Sequence, residues 1–252
     1  MKPMIDIHSH ILPGVDDGCP DREQALAMLR MYEEQGAEAV ICTPHFGICA
    51  RKGADVEGAF RWLCSLESPV KLYIGNEILL TRYTLQDVRR GIARRMAGSD
   101  RILIEFDEWS RYSATQEEIT EGLRWAGDSE FRPILAHAER YKCLRENPEL
   151  YRRIAESGAE IQINAYSICE ETNPDTVSAA RFLLENRLVS YIGSDAHGET
   201  RRPPRLQKGV QWIYDHCPEE YADAVVHDNA WRLLNEECRK QPEPGVSLCS
   251  LL

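Results

Sequence analysis

The chain has 252 residues, of which 43% are hydrophobic and 28% charged, and its formal net charge is −11. This composition is that of an ordinary globular protein, and its acidity argues against a nucleic-acid or anionic-membrane binder, which needs a basic surface. No apolar run approaches the roughly 18–20 residues of a membrane span, and the N-terminal sequence MKPMIDIHSH lacks the apolar core of a signal peptide. We therefore expect a cytoplasmic protein with no nucleic-acid partner and no membrane span.

Short apolar runs alternate with amphipathic stretches along the chain. The runs, each typical of a buried β-strand, cover residues 4–8, 39–43, 71–75, 102–106, 133–137, 160–164 and 189–194. Helical spacing is clearest at 20–35, 148–156 and 174–186, with Gly36 and Asn173 as candidate caps. These seven strand–helix alternations predict an α/β protein with a parallel sheet. We expect one domain over residues 1–240 and a loosely held tail over 241–252.

Residues with metal-binding or acid–base chemistry follow the C-terminal ends of these runs. In chain order they are His8, His10, His45, Glu77, Glu105, His137, Asn164, Asp195 and His197. The C-terminal rim is where α/β barrels build their active sites, whereas open sheets bind ligands only near a switch point. Functional groups at all seven runs therefore favour a closed or nearly closed barrel with its active site at that rim.

Histidines dominate this set, since five of the seven in the chain stand at these ends. His8 and His10 are two residues apart on a strand, so both imidazoles face the same side. Asp195 and His197 repeat that spacing after the last run. A set of imidazoles and carboxylates without thiolates suits Mn, Fe or Zn in a reactive site, so we predict a metal centre.

The remaining histidines and the cysteines have plainer interpretations. His216 and His227 fall in late helical sequence and are expected to be surface or packing residues. The nine cysteines form no CxxC pair, and several, such as Cys42 in AVICT, stand among apolar residues. We expect reduced, mostly buried thiols of a cytosolic enzyme rather than a cysteine-based zinc site.

Charge counting favours more than one metal ion. Four carboxylates are assigned to the site beside the five histidines, namely Asp17, Glu77, Glu105 and Asp195. Nine ligands exceed what one or two ions can take with a position left open, and three divalent ions would leave the site at about +2, which suits a phosphate dianion. Arg140 and Arg202 could bind that phosphate through their guanidinium groups, although a solvated surface role is as common for either arginine alone.

Seven motifs occur in the order MIDIHSHILPGVDDG, CTPHF, GNEI, LIEF, ILAHAERY, QINA and GSDAHGETRRPP. Together they resemble the PHP (polymerase and histidinol phosphatase) superfamily, and within it the bacterial tyrosine-protein phosphatases of capsule and exopolysaccharide loci, the CpsB/YwqE type. The resemblance implies a distorted (β/α)7 TIM-like barrel with three divalent metal ions, most often Mn, with Fe, Co or Zn as alternatives. It also implies attack of a metal-bound hydroxide on phosphotyrosine in the tail of a cognate bacterial tyrosine kinase, without a cysteine nucleophile.

The same resemblance suggests which residues hold each ion. The first ion would be held by His8, His10, Glu77 and Asp195. Glu77 would bridge to a second ion with Glu105 and His137, and the third would lie among Asp17, His45 and His197. The resemblance selects Asp17 over Asp16 because Asp17 directly precedes the glycine of the DDG motif. With Asp17, the phosphate-binding residues Arg140 and Arg202 complete the catalytic candidates.

Two features depart from the family. Gly198 stands where the family usually has asparagine, and the segment between His45 and Glu77 is short. Both bear on the substrate rather than on the metal chemistry. Two alternatives stay open: a PHP phosphatase for a small phosphomonoester such as histidinol phosphate, and a non-catalytic phosphotyrosine-binding regulator. The intact ligand set argues against the regulator, which has no need to keep nine ligands.

Overall fold

The structure is a computed structural model that describes residues 1–107, 113–169 and 173–235. The predicted tail at 241–252 lies outside these residues, as do Cys238 and Cys249. The division into one domain and a tail therefore stays a prediction. Within the described part of the chain, no helix combines the length and the apolar character needed to cross a membrane.

The described residues form nine strands, all paired in parallel. They are β1 (Met4–Ser9), β2 (Ala37–Cys42), β3 (His45–Phe46), β4 (Lys71–Ile74), β5 (Glu77–Leu79), β6 (Arg101–Glu105), β7 (Arg132–Leu135), β8 (Glu160–Asn164) and β9 (Tyr191–Gly193). One section of sheet has the order β1-β2-β4, and the other has the order β3-β5-β6-β7-β8-β9. All seven predicted runs overlap a strand, so the predicted parallel α/β class is confirmed.

Two short interruptions of the chain connect the sections: β2 and β4 belong to the first section, and β3 and β5, which follow them closely, belong to the second. Strand β3 follows β2 after two residues, and β5 follows β4 after Gly75 and Asn76. The Gly75 N–H donates to the Cys42 carbonyl (2.9 Å), and the Asn76 side chain donates to the Pro44 carbonyl (2.8 Å). The sheet therefore curls at this point, and the break places Glu77 at the start of a new strand.

The first and last strands also meet. A parallel bridge joins Ser9 to Ala196, and the His10 N–H donates to the Ala196 carbonyl at 2.9 Å. The Asp195 N–H donates to the His8 carbonyl at 2.8 Å. These contacts bring the C-terminal end of β1 beside the residues that follow β9.

Ten α-helices connect the described strands and cover them. They are α1 (Arg22–Glu34), α2 (Val56–Cys64), α3 (Arg82–Arg89), α4 (Gln116–Gly127), α5 (Lys142–Arg145), α6 (Glu149–Glu156), α7 (Pro174–Glu185), α8 (Gln207–His216), α9 (Glu219–Asp223) and α10 (Asn229–Asn235). A π-helical turn (Ala224–Asp228) joins α9 to α10. The three predicted helices are confirmed as α1, α6 and α7.

Helix α1 illustrates how local sequence determines these elements. The Asp21 side chain accepts a hydrogen bond from the Gln24 N–H (2.9 Å) and so caps the first turn. The apolar residues at helical spacing, Ala25, Met28, Leu29 and Tyr32, are all buried. Gly36 has a φ of +73°, the left-handed conformation with which a helix commonly ends. Asn173 caps α7 as predicted, by accepting from the Asp175 N–H at 3.0 Å.

The prediction of mostly buried thiols is wrong in its extent. Cys19 and Cys42 are buried, but Cys49 and Cys169 are exposed, and the other described cysteines are half-buried. Apolar neighbours predict burial for Cys42 because it lies in β2, whereas the exposed pair lies in connecting segments. The two remaining histidines behave as packing residues, since the rings of His216 and His227 stack on Trp212 and Trp231.

Candidate metal centre

The nine predicted ligands lie together at the C-terminal ends of the strands. Seven of them are buried: His8, His10, Glu77, Glu105, His137, Asp195 and His197. His45 is half-buried, and Asp17 is the exposed member, with 53% of its side chain accessible. Burying this many ionisable groups in one place is costly unless they are paired or bind metal.

Glu77 lies at the centre of the cluster. Its Oε2 is 3.1 Å from His8 Nε2, from His10 Nε2 and from His45 Nδ1. Its Oε1 is 2.8 Å from His137 Nε2. Burial would raise the pKa of Glu77, but His8 and His45 hold it well below its usual range. Glu77 is therefore an ionised carboxylate among four imidazoles.

Hydrogen bonds on the far side of two imidazoles determine which ring nitrogens face Glu77. His10 Nδ1 lies 2.7 Å from Asp16 Oδ2, and His8 Nδ1 lies 3.1 Å from Gln162 Oε1. Both oxygens act as acceptors, so each Nδ1 carries a proton, and each Nε2 can bind a metal ion when its imidazole is neutral.

The two Nε2 atoms are only 3.2 Å apart, with the Glu77 carboxylate beside both of them. Burial would lower the pKa of His10, but Asp16 and Glu77 raise it well above its usual value, so without a metal a proton on His10 offsets the charge of Glu77. A bound cation would replace that proton and be held by the Nε2 lone pairs of the neutral imidazoles. The orientation of metal-binding histidines by such outer partners is common. These residues therefore fit a bound metal ion.

Glu105 and His45 extend the cluster away from β1. Glu105 Oε1 lies 3.0 Å from His45 Nδ1, and burial together with the charge of Glu77 raises the pKa of Glu105. Within the described residues, Glu77 Oε2, Glu105 Oε1 and His45 Nδ1 are buried and form no hydrogen bond. Two buried carboxylates at close range would be stabilised by divalent cations, so this side of the cluster also fits a metal.

His45 also lies in two further groups of potential ligands. One combines it with His10 and His197, and the other with Asp17 and Cys49, each with ligand atoms within 4.8 Å of one another. Burial and the nearby charge of His10 lower the pKa of His197 to about 2, so its imidazole is neutral and able to bind metal. Cys49 is an addition that the sequence analysis did not anticipate at this site.

The two predicted arginines converge on one carboxylate. Arg140 Nη1 donates to Asp195 Oδ2 at 2.8 Å, and Arg202 donates to the same oxygen. Arg202 also donates to His197 Nε2 at 3.1 Å. Burial would raise the pKa of Asp195, but Arg202 and His8 hold it well below its usual range. The guanidinium groups thus lie directly beside the metal cluster, where a bound phosphate would need them.

Backbone conformation at the site is unusual. His137, Asp195 and Arg202 have φ values of +33°, +51° and +56°, in the left-handed region that non-glycine residues rarely adopt. Such conformations concentrate at functional sites because the surrounding structure has to hold them. Two glycines allow the first strand to approach: a Cβ on Gly18 would lie 2.3 Å from the His10 Cβ, and one on Gly193 would lie 2.6 Å from the His8 Cβ.

Gln162, a buried polar residue that supports the ligands, was missed by the sequence analysis, whereas Asn164 was among its candidates. Gln162 Oε1 accepts from the His137 N–H (2.8 Å) as well as from His8, and Gln162 Nε2 donates to Asn164 Oδ1 at 3.0 Å. Asn164 Nδ2 in turn donates to Asp195 Oδ2 at 3.1 Å. Gln162 and Asn164 share one face of β8, and that period-two spacing was the available signal.

Asp6, within β1, provides a second buried support. Its Oδ1 accepts from the His8 and Ser194 N–H groups, both at 2.9 Å. Its Oδ2 accepts from the Tyr32 hydroxyl at 2.7 Å, which links the strand to α1. Burial raises the pKa of Asp6. Asp6 stands two residues before His8, as His8 stands two residues before His10. The same spacing could therefore have identified Asp6 from the sequence.

A cavity of about 650 Å³ opens above the cluster. Its apolar wall is formed by Ile48, Leu79 and Phe106, and Tyr166 also lines it. Ile48 belongs to the short segment after His45, so this segment does shape the opening. The cavity brings an apolar surface and the arginine side chains to the same opening.

The comparisons with known proteins agree with this geometry. A family model described as capsular polysaccharide synthesis, CpsB/CapC, matches residues 4–235. The chain is 30% identical over 251 residues to tyrosine-protein phosphatase YwqE of Bacillus subtilis (strain 168), with 96% of both chains covered. It is 28% identical over 245 residues to tyrosine-protein phosphatase CpsB of Streptococcus pneumoniae, covering 93% of this chain and 99% of that one.

Solved structures show the same relationship. A chain from the crystal structures of YwqE from Bacillus subtilis and CpsB from Streptococcus pneumoniae, called unique metal-dependent tyrosine phosphatases, superposes with a TM-score of 0.80. That match has 28% identity and covers 92% of this chain and 94% of the other. A phosphotriesterase homology protein from Escherichia coli, 11% identical, matches with a TM-score of 0.58 over 93% of this chain and all of that one, which shows a shared fold alone.

Proposed function

We propose, since the chain belongs to the CpsB/CapC family of capsular polysaccharide synthesis, that it is a metal-dependent tyrosine-protein phosphatase. One observation carries this proposal: the Nε2 atoms of His8 and His10 converge on Glu77 in a buried cluster, with two arginines beside it. A cluster of this kind holds cations, and the arginines add donors for a phosphate dianion. The names of the relatives supply the chemical class of the substrate, phosphotyrosine in a protein.

The proposal assigns three divalent ions to the cluster, with Mn first and Fe, Co or Zn as alternatives. His8, His10, Glu77 and Asp195 would hold the first, and Glu77, Glu105 and His137 the second. Asp17, His45 and His197 would hold the third, and Asp17 is also assigned to proton transfer because it is the exposed carboxylate at the rim. Divalent ions so held would activate a water molecule and neutralise charge on phosphorus-bound oxygens.

The chain's own residues account for substrate binding. Arg140 and Arg202 line the cavity beside Asp195, where guanidinium groups can bind phosphate oxygens. The positive charges would stabilise the charge that grows on these oxygens during transfer. The apolar wall of Ile48, Leu79 and Phe106 suits the ring of a tyrosine better than the polar body of a metabolite.

The proposal extends to the partner, the place of the reaction and the closure of the fold. The protein substrate is proposed to be the tail of a bacterial tyrosine kinase that controls capsule or exopolysaccharide synthesis. We place the reaction in the cytoplasm, since Cys19 and Cys42 are buried thiols outside any disulfide, as is common in reducing compartments. We also propose that the sheet sections form the distorted (β/α)7 barrel, which the bridge between Ser9 and Ala196 supports.

A substrate panel tests the function. The Mn²⁺-loaded protein is assayed for phosphate release from a phosphotyrosine peptide, its phosphoserine counterpart and histidinol phosphate. We expect the phosphotyrosine peptide to have the highest kcat/KM, by at least about ten-fold, because only its ring reaches past the apolar wall. Higher kcat/KM for histidinol phosphate would favour the small-molecule phosphatase, and tight binding of the phosphotyrosine peptide without turnover would favour the regulator.

A further inference from the structure

We propose that Arg201 and Arg205 form an anion subsite that selects phosphotyrosine substrates with a second negative charge next to the phosphotyrosine. This inference rests on the function proposed above and adds the substrate class to it. The second charge can be an acidic side chain or another phosphotyrosine, which share the same chemistry of a carboxylate or phosphate bound by guanidinium groups.

The two arginines line the same cavity as Arg140 and Arg202 but have different surroundings. Arg140 and Arg202 are held by Asp195. Arg201 and Arg205 are exposed, and within residues 1–107, 113–169 and 173–235 neither forms an ion pair. Their charges are therefore available to a ligand, at the rim of a cavity whose floor already accounts for the phosphate.

The loop that carries them is anchored at several points. The His197 N–H donates to the Arg202 carbonyl at 2.8 Å, which closes the loop after β9. Beyond it, the side chain of Gln35, the residue after α1, donates to the Pro204 carbonyl (2.7 Å) and accepts from the Leu206 N–H (3.0 Å). Pro203 and Pro204 are buried. Anchoring of this kind lowers the entropy that ordering the loop would cost on binding.

The placement of charge supports an acidic ligand. The chain as a whole has a net charge of −11, yet four arginines border this one cavity. Five carboxylates also line it, and four of them, Asp17, Glu77, Glu105 and Asp195, are proposed ligands whose charge bound cations would offset. With the ions in place, the arginines would attract anions to this opening. Ile48, Leu79 and Phe106 line the same cavity, so a ring can contact them while a neighbouring anion meets Arg201 and Arg205.

Peptide kinetics test the inference. Three peptides of equal length carry one phosphotyrosine and differ only beside it: glutamates, a second phosphotyrosine, or glutamines. The Mn²⁺-loaded wild type is compared with Arg201→Gln, Arg205→Gln and the double variant. Arg153→Gln, an exposed arginine on α6 away from the cavity, is the matched control. Binding of fluorescein-labelled forms of the same peptides is followed by fluorescence anisotropy, which does not depend on turnover.

The expected result is a preference of the wild type for both anionic peptides over the glutamine peptide, by about three- to ten-fold in kcat/KM, as exposed charge pairs provide. The double variant reduces this ratio to about two or less, while Arg153→Gln keeps it. The preference also weakens as salt is added, since the subsite is exposed.

Equal kcat/KM for the three peptides, or a preference that the double variant retains, would overturn the inference. A preference for the second phosphotyrosine alone would identify phosphate rather than carboxylate as the ligand. If no peptide and no aryl phosphate is hydrolysed, the proposed function fails, and the anisotropy titrations still decide the subsite. Tighter binding of the anionic peptides to wild type than to the double variant would then uphold it, and equal binding would reject it.

Discussion

His10 Nδ1 and Asp16 Oδ2 are 2.7 Å apart in a fully buried contact. The same carboxylate accepts from the Gly18 and His45 N–H groups, both at 3.0 Å. Burial would raise the pKa of Asp16, but the neighbouring His10 lowers it to about 2. Asp16 is thus an anion that fixes one imidazole through its side chain and another residue, His45, through its backbone. The aspartate that does not bind metal in the proposed assignment therefore supports two residues that do.

Substituting this aspartate should weaken metal binding. In Asp16→Asn, an NH2 group replaces one carboxylate oxygen and cannot accept a hydrogen bond. His10 or His45 therefore loses one of the hydrogen bonds that hold it in place. We expect the affinity for Mn²⁺ to fall by about 10- to 100-fold, and to fall further in Asp16→Ala. Metal titration of both variants measures this, with the exposed Asp215→Asn as control. An unchanged affinity in Asp16→Ala would show that the contact does not orient His10.

Gln162 is expected to affect stability and metal content together. Gln162→Leu leaves His8 Nδ1 and the His137 N–H without their acceptor in a buried site. Each unsatisfied donor costs about 1–3 kcal/mol of unfolding free energy, so thermal unfolding should shift down, and metal content should fall because His8 loses its orientation. Calorimetry and elemental analysis check the two effects. Full metal content in a clearly destabilised variant would limit Gln162 to a packing role.

The two kinds of site residue can be separated by a pair of variants. His137→Ala removes a proposed ligand, so it should lower both metal content and turnover. Arg140→Ala should keep the metals, because a guanidinium cannot bind a cation, yet lose a charge-assisted contact to phosphate worth roughly 1.5–3 kcal/mol. That loss corresponds to about one to two decades in rate.

Metal stoichiometry beside steady-state kinetics with p-nitrophenyl phosphate provides the comparison. Arg202→Ala should resemble Arg140→Ala, since both side chains donate to Asp195 Oδ2. Loss of metal from Arg140→Ala equal to that from His137→Ala would make the arginine structural. Retention of both metal and full rate would reject the phosphate-binding role.

Cys49 lies beside the site, but it is not expected to be the nucleophile. Burial and the carboxylates of Asp17 and Glu105 raise the pKa of this thiol to about 11, so little thiolate exists at neutral pH. Cys49→Ser should therefore lose less than about ten-fold in rate, whereas a cysteine-dependent phosphatase loses nearly all activity without its thiolate. Aryl phosphate turnover by the Mn²⁺-loaded variant decides this, and its abolition with metals retained would contradict a metal-based mechanism.

Sequence reasoning brought the proposed metal ligands together but missed some of the residues that hydrogen-bond to them. Parallel strands bring their C-terminal ends to one edge, so residues as distant as His8 and Asp195 could be placed together from run ends alone. The short strands β3 and β5 were not predicted, because two- and three-residue elements leave no periodic pattern. Asp16 and Gln162 were missed for a different reason: their partners depend on loop path and strand register, which residue spacing does not specify.

The departures from the family pattern also acquire a physical meaning. A Cβ at Gly198 would lie 3.0 Å from Gln24 Oε1, so α1 limits the room for a larger residue there unless Gln24 moves. The segment after His45 contributes Ile48 and Cys49 to the cavity. The segment after His45 thus lies at the opening, consistent with an effect on the substrate, whereas Gly198 is buried directly after His197.

The most direct test of the account is phosphate release from a phosphotyrosine peptide by protein freed of metal and then reloaded. Treatment with EDTA followed by dialysis should abolish activity, because the imidazole and carboxylate donors around Glu77 require cations to act. Added Mn²⁺, or Co²⁺ or Fe²⁺ in its place, should restore it in step with the metal bound. Full activity in exhaustively dialysed protein with no metal detected would contradict the account.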